Sequence, residues 1–82
     1  MNFGKTSIKP TFHYLTFHSD VEWHLVVTAV MCPTKTHANK RHGKNRVTYI
    51  RASRKRIVEI HAEKDEINQV IWIINAFKME RK

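Results

Sequence analysis

The chain has few of the residues that cross-link or interrupt a protein. Its 82 residues include one cysteine, two glycines and two prolines. The lone cysteine, Cys32, excludes an intramolecular disulfide, and we therefore expect a cytoplasmic protein. Turn signals are sparse because glycine and proline are rare. A hydrophobic fraction of 41% is enough for one core and argues against disorder.

Long apolar runs are also missing. The longest, LVVTAVMC and VIWII, are too short to cross a bilayer. The first ten residues contain no apolar segment of the length that a signal peptide needs. We expect neither secretion nor a membrane anchor.

Acidic residues are missing from the middle of the chain. No Asp or Glu lies between Glu22 and Glu59, although most of the fifteen Lys and Arg residues fall there. The formal net charge is +8. A small basic domain of this kind is typical of nucleic-acid binding, with an acidic protein or an anionic membrane as the second choice.

The length predicts one domain, residues 1–82, with one modest core. We expect residues 1–10 to form a flexible polar leader and residues 11–18, TFHYLTFH, to form an alternating strand. Residues 19–32 allow two interpretations. Ser19 and Glu22 fit a capping box, and Pro33 would stop a helix, whereas the β-branched valines favour a strand. The length of the segment favours the helix.

The remaining pattern predicts a basic loop over residues 34–45 and three strands, 46–52, 56–63 and 69–77. The last strand is apolar on both faces, as in the middle of a sheet. The predicted fold is α+β: one helix packs on a small antiparallel sheet, in the order β-α-β-β-β. One sheet face would then be uncovered, which favours a homodimer or a bound partner.

The cationic segment supplies the expected nucleic-acid contacts. Lysine and arginine would pair with phosphates, and a tyrosine between them would stack on a base. The residues in this set are Lys35, Lys40, Arg41, Lys44, Arg46, Tyr49, Arg54 and Lys55. Strand alternation places Arg46 and Arg51 on opposite faces, so only one of them can share a site with the histidines of the loop.

Histidines could add chemistry to this binding surface. Metal-free RNA cleavage needs a base for the 2′-hydroxyl and an acid for the leaving oxygen, and histidine can serve as both near neutral pH. His37, His42 and His61 are the candidates, and a surface or packing role is the alternative for each. Trp23 and Trp72 lie in apolar runs and are expected in the core.

We expect no cofactor and no metal site. Cys32, His37 and His42 have the spacing C-x4-H-x4-H, but zinc would need a fourth ligand in a closed site, and the paired spacing of a zinc module is missing. The chain also has no phosphate-binding glycine loop, no nucleophile elbow and no acidic metal cluster.

The second half of the chain resembles a known family. RVTYIRASRKRIVEIHAEKDEINQVIWIINAFKMERK resembles the terminal β-meander of the RelE/BrnT-like toxin superfamily. Within it, RKRIVEIH matches a strand segment and IINAFK the ending. Including the helix end VMCP, the resemblance covers roughly residues 22–82. It implies a cytosolic, metal-independent ribonuclease that acts on messenger RNA, or a degenerate relative of one, with an acidic, antitoxin-like protein as a partner.

The resemblance also implies site residues. Arg51 and Arg56 on the strands, with Lys78 after the last strand, would take part in catalysis. The chain departs from the pattern at Phe77, where an arginine would follow NA, and its tail lacks a tyrosine. Three hypotheses follow: an endoribonuclease, a non-catalytic nucleic-acid-binding module that prefers RNA, and a dimerising interaction domain.

Overall fold

The structure, a computed structural model, describes residues 2–3, 6–39, 41 and 43–80. The described chain forms strands β1 to β6 and helices α1 and α2. Their bounds are β1 Asn2–Phe3, β2 Thr6–Pro10, α1 Phe12–Phe17, α2 Trp23–Met31, β3 Lys35–Ala38, β4 Arg46–Ala52, β5 Arg56–Asp65 and β6 Val70–Glu80. The fold is α+β, as predicted, but it has two short helices, and more strands than the order β-α-β-β-β allowed.

The strands form one mixed sheet in the order β1-β2-β6-β5-β4-β3. The predicted antiparallel meander of β4, β5 and β6 is confirmed. β6 lies between β2 and β5, which confirms the prediction from its apolar pattern that it is a central strand. The prediction of a purely antiparallel sheet is wrong, because β2 runs parallel to β6.

The amino-terminal segment is not the flexible leader that we expected. Residues 6–10 form β2, where Ile8 pairs with Ile71 and is only 1% exposed. The backbone N–H of Ser7 also donates to the Gln69 carbonyl at 2.9 Å. The physical reason is that the outer edge of β6 carries backbone donors and acceptors that need partners, and β2 supplies them.

The segment TFHYLTFH is a helix rather than the predicted strand. Thr11 is the N-cap of α1, and its hydroxyl accepts from the Tyr14 N–H at 3.2 Å and donates to the Ile73 carbonyl at 2.7 Å. Tyr14 is buried and donates to the Val21 carbonyl at 2.6 Å. A threonine cap can therefore start a helix where alternation alone predicts a strand. Burial raises the pKa of Tyr14, and the nearby carboxylates of Asp20 and Glu22 raise it further.

The one helix that the sequence predicts is confirmed as α2, but it is shorter than expected. α2 begins at Trp23, and its N-cap Glu22 makes no capping hydrogen bond with its side chain. The Glu22 carboxylate binds Lys78 Nζ instead, at 3.2 Å, so the predicted capping box with Ser19 does not form. The helix ends at Met31, before Pro33, as predicted.

The core lies between α2 and one face of the sheet. Val26 on α2 and Ile60 and Ile73 on the strands are fully buried there. Strand side chains alternate between the two faces except at one register shift between β5 and β6, so about half of the residues of β3 to β6 point away from α2. We call this second surface the open face.

The predicted basic loop over residues 34–45 is partly wrong, because residues 35–38 form the edge strand β3, paired with β4. The shorter loop that remains turns at Gly43, whose φ of +141° disfavours any residue with a side chain. Lys40 and His42 lie outside the described residues. No helix in the described part of the chain is long and apolar enough to cross a membrane.

Candidate nucleic-acid interface

The open face consists of three adjacent cross-strand rows that combine cations with rings. The first row is Arg46, Glu63, Trp72 and Lys9. The second row is His37, Thr48, His61 and Asn75. The third row is Lys35, Ile50, Glu59 and Phe77. Side chains within a row are direct neighbours, with Cβ atoms about 5 Å apart from strand to strand.

His61 occupies the centre of this surface. Its Nε2 lies 2.7 Å from Glu59 Oε2, and its Nδ1 lies 3.2 Å from Asn75 Nδ2. An amide Nδ2 can only donate, so Nδ1 accepts and the Nε2–H donates to the carboxylate. The imidazole is therefore held in one orientation, with both ring nitrogens engaged.

Aromatic rings continue from this centre toward α1. The Phe77 ring lies 5.5 Å from the His61 ring and 5.1 Å from the His18 ring, both edge-on. His18 Nδ1 is 3.1 Å from the Ala76 carbonyl oxygen, and its Nε2 is 3.3 Å from His13 Nε2. The sequence does not predict this cluster of His13, His18 and Phe77. Residues 11–18 were expected to form a strand, and only the helix α1 brings the two histidines next to Phe77.

Trp72 lies on the open face, where the sequence predicted a core residue. Lys9 Nζ stands 6.0 Å from its ring centroid. Hydrogen bonds from the backbone and side chain of the neighbouring Asn68 hold the pKa of Asp65 below its ordinary value. Trp23, by contrast, packs against the core as predicted.

The predicted cations do not all converge on the open face. Lys35 and Arg46 lie on it, and Arg46 Nε is 3.6 Å from Glu63 Oε1. Arg41 and Lys44 are exposed in the loop next to Arg46. Arg54 and Lys55 are exposed in the turn between β4 and β5, beyond the other end of β4.

The three cations implied by the toxin resemblance lie on the α2 side of the sheet. Each has a partner within this chain. Arg51 Nη1 donates to the Cys32 carbonyl at 2.7 Å. Arg56 Nε is 3.7 Å from Glu80 Oε2, and Lys78 Nζ is 3.2 Å from Glu22 Oε1. The structure therefore separates these residues from His37 and His61, which lie on the opposite face.

Tyr49 is also on the α2 side. It is 6% exposed and belongs to the core cluster, so the expectation that it stacks on a base does not fit its position. Burial raises the pKa of its phenol. Alternation correctly separated Arg46 from Arg51, and the structure shows that Arg46 is the one beside His61.

The described residues contain no group of three or more His, Cys, Asp or Glu side chains that could hold a metal ion. Comparison of the chain with protein-family models, curated proteins and solved structures finds no match. We therefore infer a function from the geometry of the open face.

Proposed function

We propose that this protein binds single-stranded RNA across the open face of its sheet. The supporting observation is the interleaving of cations and rings in three adjacent rows. Trp72, His61 and Phe77 offer ring surfaces at successive positions. Stacking on such rings, together with cations that follow the backbone, is how sheet surfaces bind unpaired nucleotides.

The phosphate contacts belong to cations at the margins of this ring surface. Arg46 and Lys9 are at opposite ends of the first row, and Lys35 is at the outer end of the third. Arg41 and Lys44 extend the positive surface into the neighbouring loop. Glu59 and Glu63 lie between these cations and would repel a backbone that crossed the centre directly. The proposed path therefore places phosphates at the margins and bases over the middle.

The test is binding of a short single-stranded RNA over a range of salt concentrations. Each phosphate contact contributes about 0.7 to the slope of log K against log salt. Lys35→Gln should reduce that slope by about one such increment. Trp72→Ala should weaken binding by about tenfold or more, because a stacked base is worth about 1–3 kcal/mol.

Arg51→Gln is the matched control, since it removes one cation from the α2 side and none from the open face. It should leave both the affinity and the salt slope unchanged. Salt-insensitive binding, or equal losses in Lys35→Gln and Arg51→Gln, would contradict the proposal.

Endoribonuclease activity is the second candidate, favoured by the Glu59–His61 pair. A carboxylate that orients an imidazole is a common arrangement for a general base. Here, however, Asn75 engages the other ring nitrogen, so proton transfer would require one of the two bonds to open. Of the cations implied by the resemblance, none shares a face with His61.

Cleavage of single-stranded RNA in the presence of EDTA tests this second candidate. If His61 is the base, His61→Ala abolishes cleavage and retains most of the binding. A substrate with 2′-deoxyribose at every position should bind but remain intact. If both substrates bind and neither is cleaved, the endoribonuclease hypothesis is wrong and only non-catalytic RNA binding is supported.

A further inference from the structure

A cleft lies on the α2 side of the sheet, between the end of α2 and the turn that joins β5 to β6. Its volume is about 590 Å³, which is within the range of small-molecule sites, roughly 300–1,000 Å³. Three side chains of the hydrophobic core reach its floor: Val30 of α2, Tyr49 of β4 and Ile71 of β6. The described lining includes no residue from the three rows of the open face.

Tyr49 is the polar side chain that is buried at this cleft. It is 6% exposed, and its phenol makes no hydrogen bond with any residue that the structure describes. The phenol oxygen is nevertheless not sealed. Within the described chain, Arg46 Nε is the only buried side-chain nitrogen or oxygen that lacks both a partner and accessible surface. The open space that Tyr49 lines is the cleft, so its hydroxyl has room there for a hydrogen bond to a ligand.

The other tyrosine of the chain shows the usual arrangement for a buried phenol. Tyr14 donates to the Val21 carbonyl at 2.6 Å. A buried hydroxyl without such a partner carries a desolvation cost. Burial raises the pKa of Tyr49, so its phenol keeps its proton at neutral pH and can donate as well as accept. The cleft therefore combines an apolar floor with one fixed hydrogen-bonding group.

The rim of the cleft is acidic, although the net charge of the chain is +8. Of the described residues that line it, Asp65 and Glu66 are acidic and only Lys64 is basic. Hydrogen bonds from Asn68 lower the pKa of Asp65, which is therefore ionised at neutral pH. A ligand with a positive group suits this rim, whereas an anion would meet two carboxylates.

We propose that this cleft binds a small organic cation, a molecule with an apolar body, an ammonium group and a hydrogen-bonding group that meets Tyr49. The body would cover Val30 and Ile71, and the ammonium group would lie at the carboxylates of the rim. This inference goes beyond RNA binding and does not depend on it, because the cleft and the open face share no described residue.

Tyramine is the probe, because it combines an aromatic body, an ammonium group and one hydroxyl. Two analogues keep its shape and change its charge: 4-(2-hydroxyethyl)phenol is neutral, and 4-hydroxyphenylacetate is an anion. NMR titration of the whole protein measures the three affinities, with the largest shifts expected at Val30, Tyr49 and Ile71. Tyramine should bind about threefold tighter than the neutral analogue, as for an exposed ion pair, and the anion should bind most weakly.

Phenethylamine, which lacks the hydroxyl of tyramine, tests the contact with Tyr49. Tyramine should bind about fivefold tighter than phenethylamine, as for one hydrogen bond. Tyr49→Phe should remove that difference, because the double comparison isolates the contact between the two hydroxyls. The same variant should leave the midpoint of urea denaturation unchanged, since the phenol has no partner in the described chain to lose. A hydroxyl with a structural role would lower the midpoint.

Tyr14→Phe is the matched control, because it removes a buried phenol that already has a partner within the chain. It should lower the midpoint of urea denaturation and leave the difference between tyramine and phenethylamine intact. At the rim, Glu66→Gln should reduce the advantage of tyramine over its neutral analogue, and Lys64→Met should increase it. Circular dichroism of each variant confirms that it is folded.

The proposal is wrong if none of the probes binds, since the cleft then holds water only. It is also wrong if the anion binds as tightly as tyramine, or if Tyr49→Phe leaves the difference between tyramine and phenethylamine unchanged. RNA affinity should be the same with and without the Tyr49→Phe substitution. Failure of this site and failure of RNA binding on the open face are therefore detected separately.

Discussion

The two faces of the sheet use the same kinds of residue for different purposes. On the α2 side, Lys78 binds Glu22 at the start of α2 and Arg51 binds the Cys32 carbonyl at its end. An acid at a helix N-terminus and a cation at its C-terminus both complement the helix dipole. These contacts fix the helix on the sheet. On the open face, Arg46 Nε is 3.6 Å from Glu63 Oε1, and Lys9 Nζ is 6.0 Å from the centroid of the partly exposed Trp72 ring; neither cation holds a helix.

The comparison shows that a basic composition does not identify a binding surface. Arg51 and Arg46 lie on the same strand, yet Arg51 makes a 2.7 Å hydrogen bond to the end of α2, whereas Arg46 makes only a 3.6 Å ion pair with Glu63 on the open face. Whether a cation is available to a ligand depends on the partners that the fold gives it. Variants on the two faces should therefore have opposite effects on binding and on stability.

The largest expected effect comes from reversing a charge on the open face. Arg46→Glu should lower RNA affinity by about 100-fold at low salt, since it removes a phosphate contact and adds a repulsive carboxylate beside Glu63. Fluorescence anisotropy with labelled RNA measures the change. A matched reversal on the α2 side, Arg56→Glu, should have a much smaller effect. Equal losses in the two variants would mean that binding depends on net charge and not on a particular face.

A smaller effect is expected on stability when the helix contact is removed. Arg51→Gln should lower the free energy of unfolding by about 1 kcal/mol, because it removes a charge-assisted hydrogen bond to the last turn of α2. Urea denaturation gives this value. Arg46→Gln is the control and should change stability less while weakening RNA binding more. The account fails if Arg51→Gln weakens RNA binding and leaves stability unchanged.

The smallest expected effect is on the stability of the protein in acid, through the ion pair between Glu22 and Lys78 at the start of α2. The hydrogen bond from Lys78 is the main cause that holds the pKa of Glu22 below its ordinary value of 4.5. The folded protein then binds fewer protons than the unfolded chain in this range. The contribution of Glu22 is therefore fully present above pH 4.5 and is lost as pH falls through the lowered pKa.

Lys78→Met should move the pKa of Glu22 back toward 4.5 and remove its part of the acid dependence. An NMR titration of the Glu22 side chain, followed in both proteins, measures the shift directly. RNA affinity should change little, because Lys78 lies on the α2 side. An unchanged Glu22 titration would show that the ion pair does not form in solution.

The parts of the fold that depend on local pattern were predicted well. Alternation gave the meander of β4 to β6 and the separation of Arg46 from Arg51. The parallel pairing of Ile8 with Ile71 could not be predicted, because it joins distant parts of the chain and has no local signal. The helix α1 was missed because the cap at Thr11 competes with an alternating pattern.

Trp72 was misassigned for a separate reason. A register shift between His61 and Ala62 leaves Ile74 as an extra residue in β6. Trp72 and Asn75 therefore share a face although they are three positions apart, which simple alternation does not allow. The open face lies next to this bulge. The sequence pattern therefore singled out His61 and Arg46 as candidates, but it did not predict that Trp72 and Phe77 lie on the same face.

The most direct test of the central claim is an NMR titration of the protein with single-stranded RNA. If RNA binds the open face, the largest chemical-shift changes fall on His61, Trp72 and Phe77, and the side-chain signals of Arg51 and Lys78 stay unchanged. The account is contradicted if Arg51 and Lys78 shift most while His61 and Trp72 do not move.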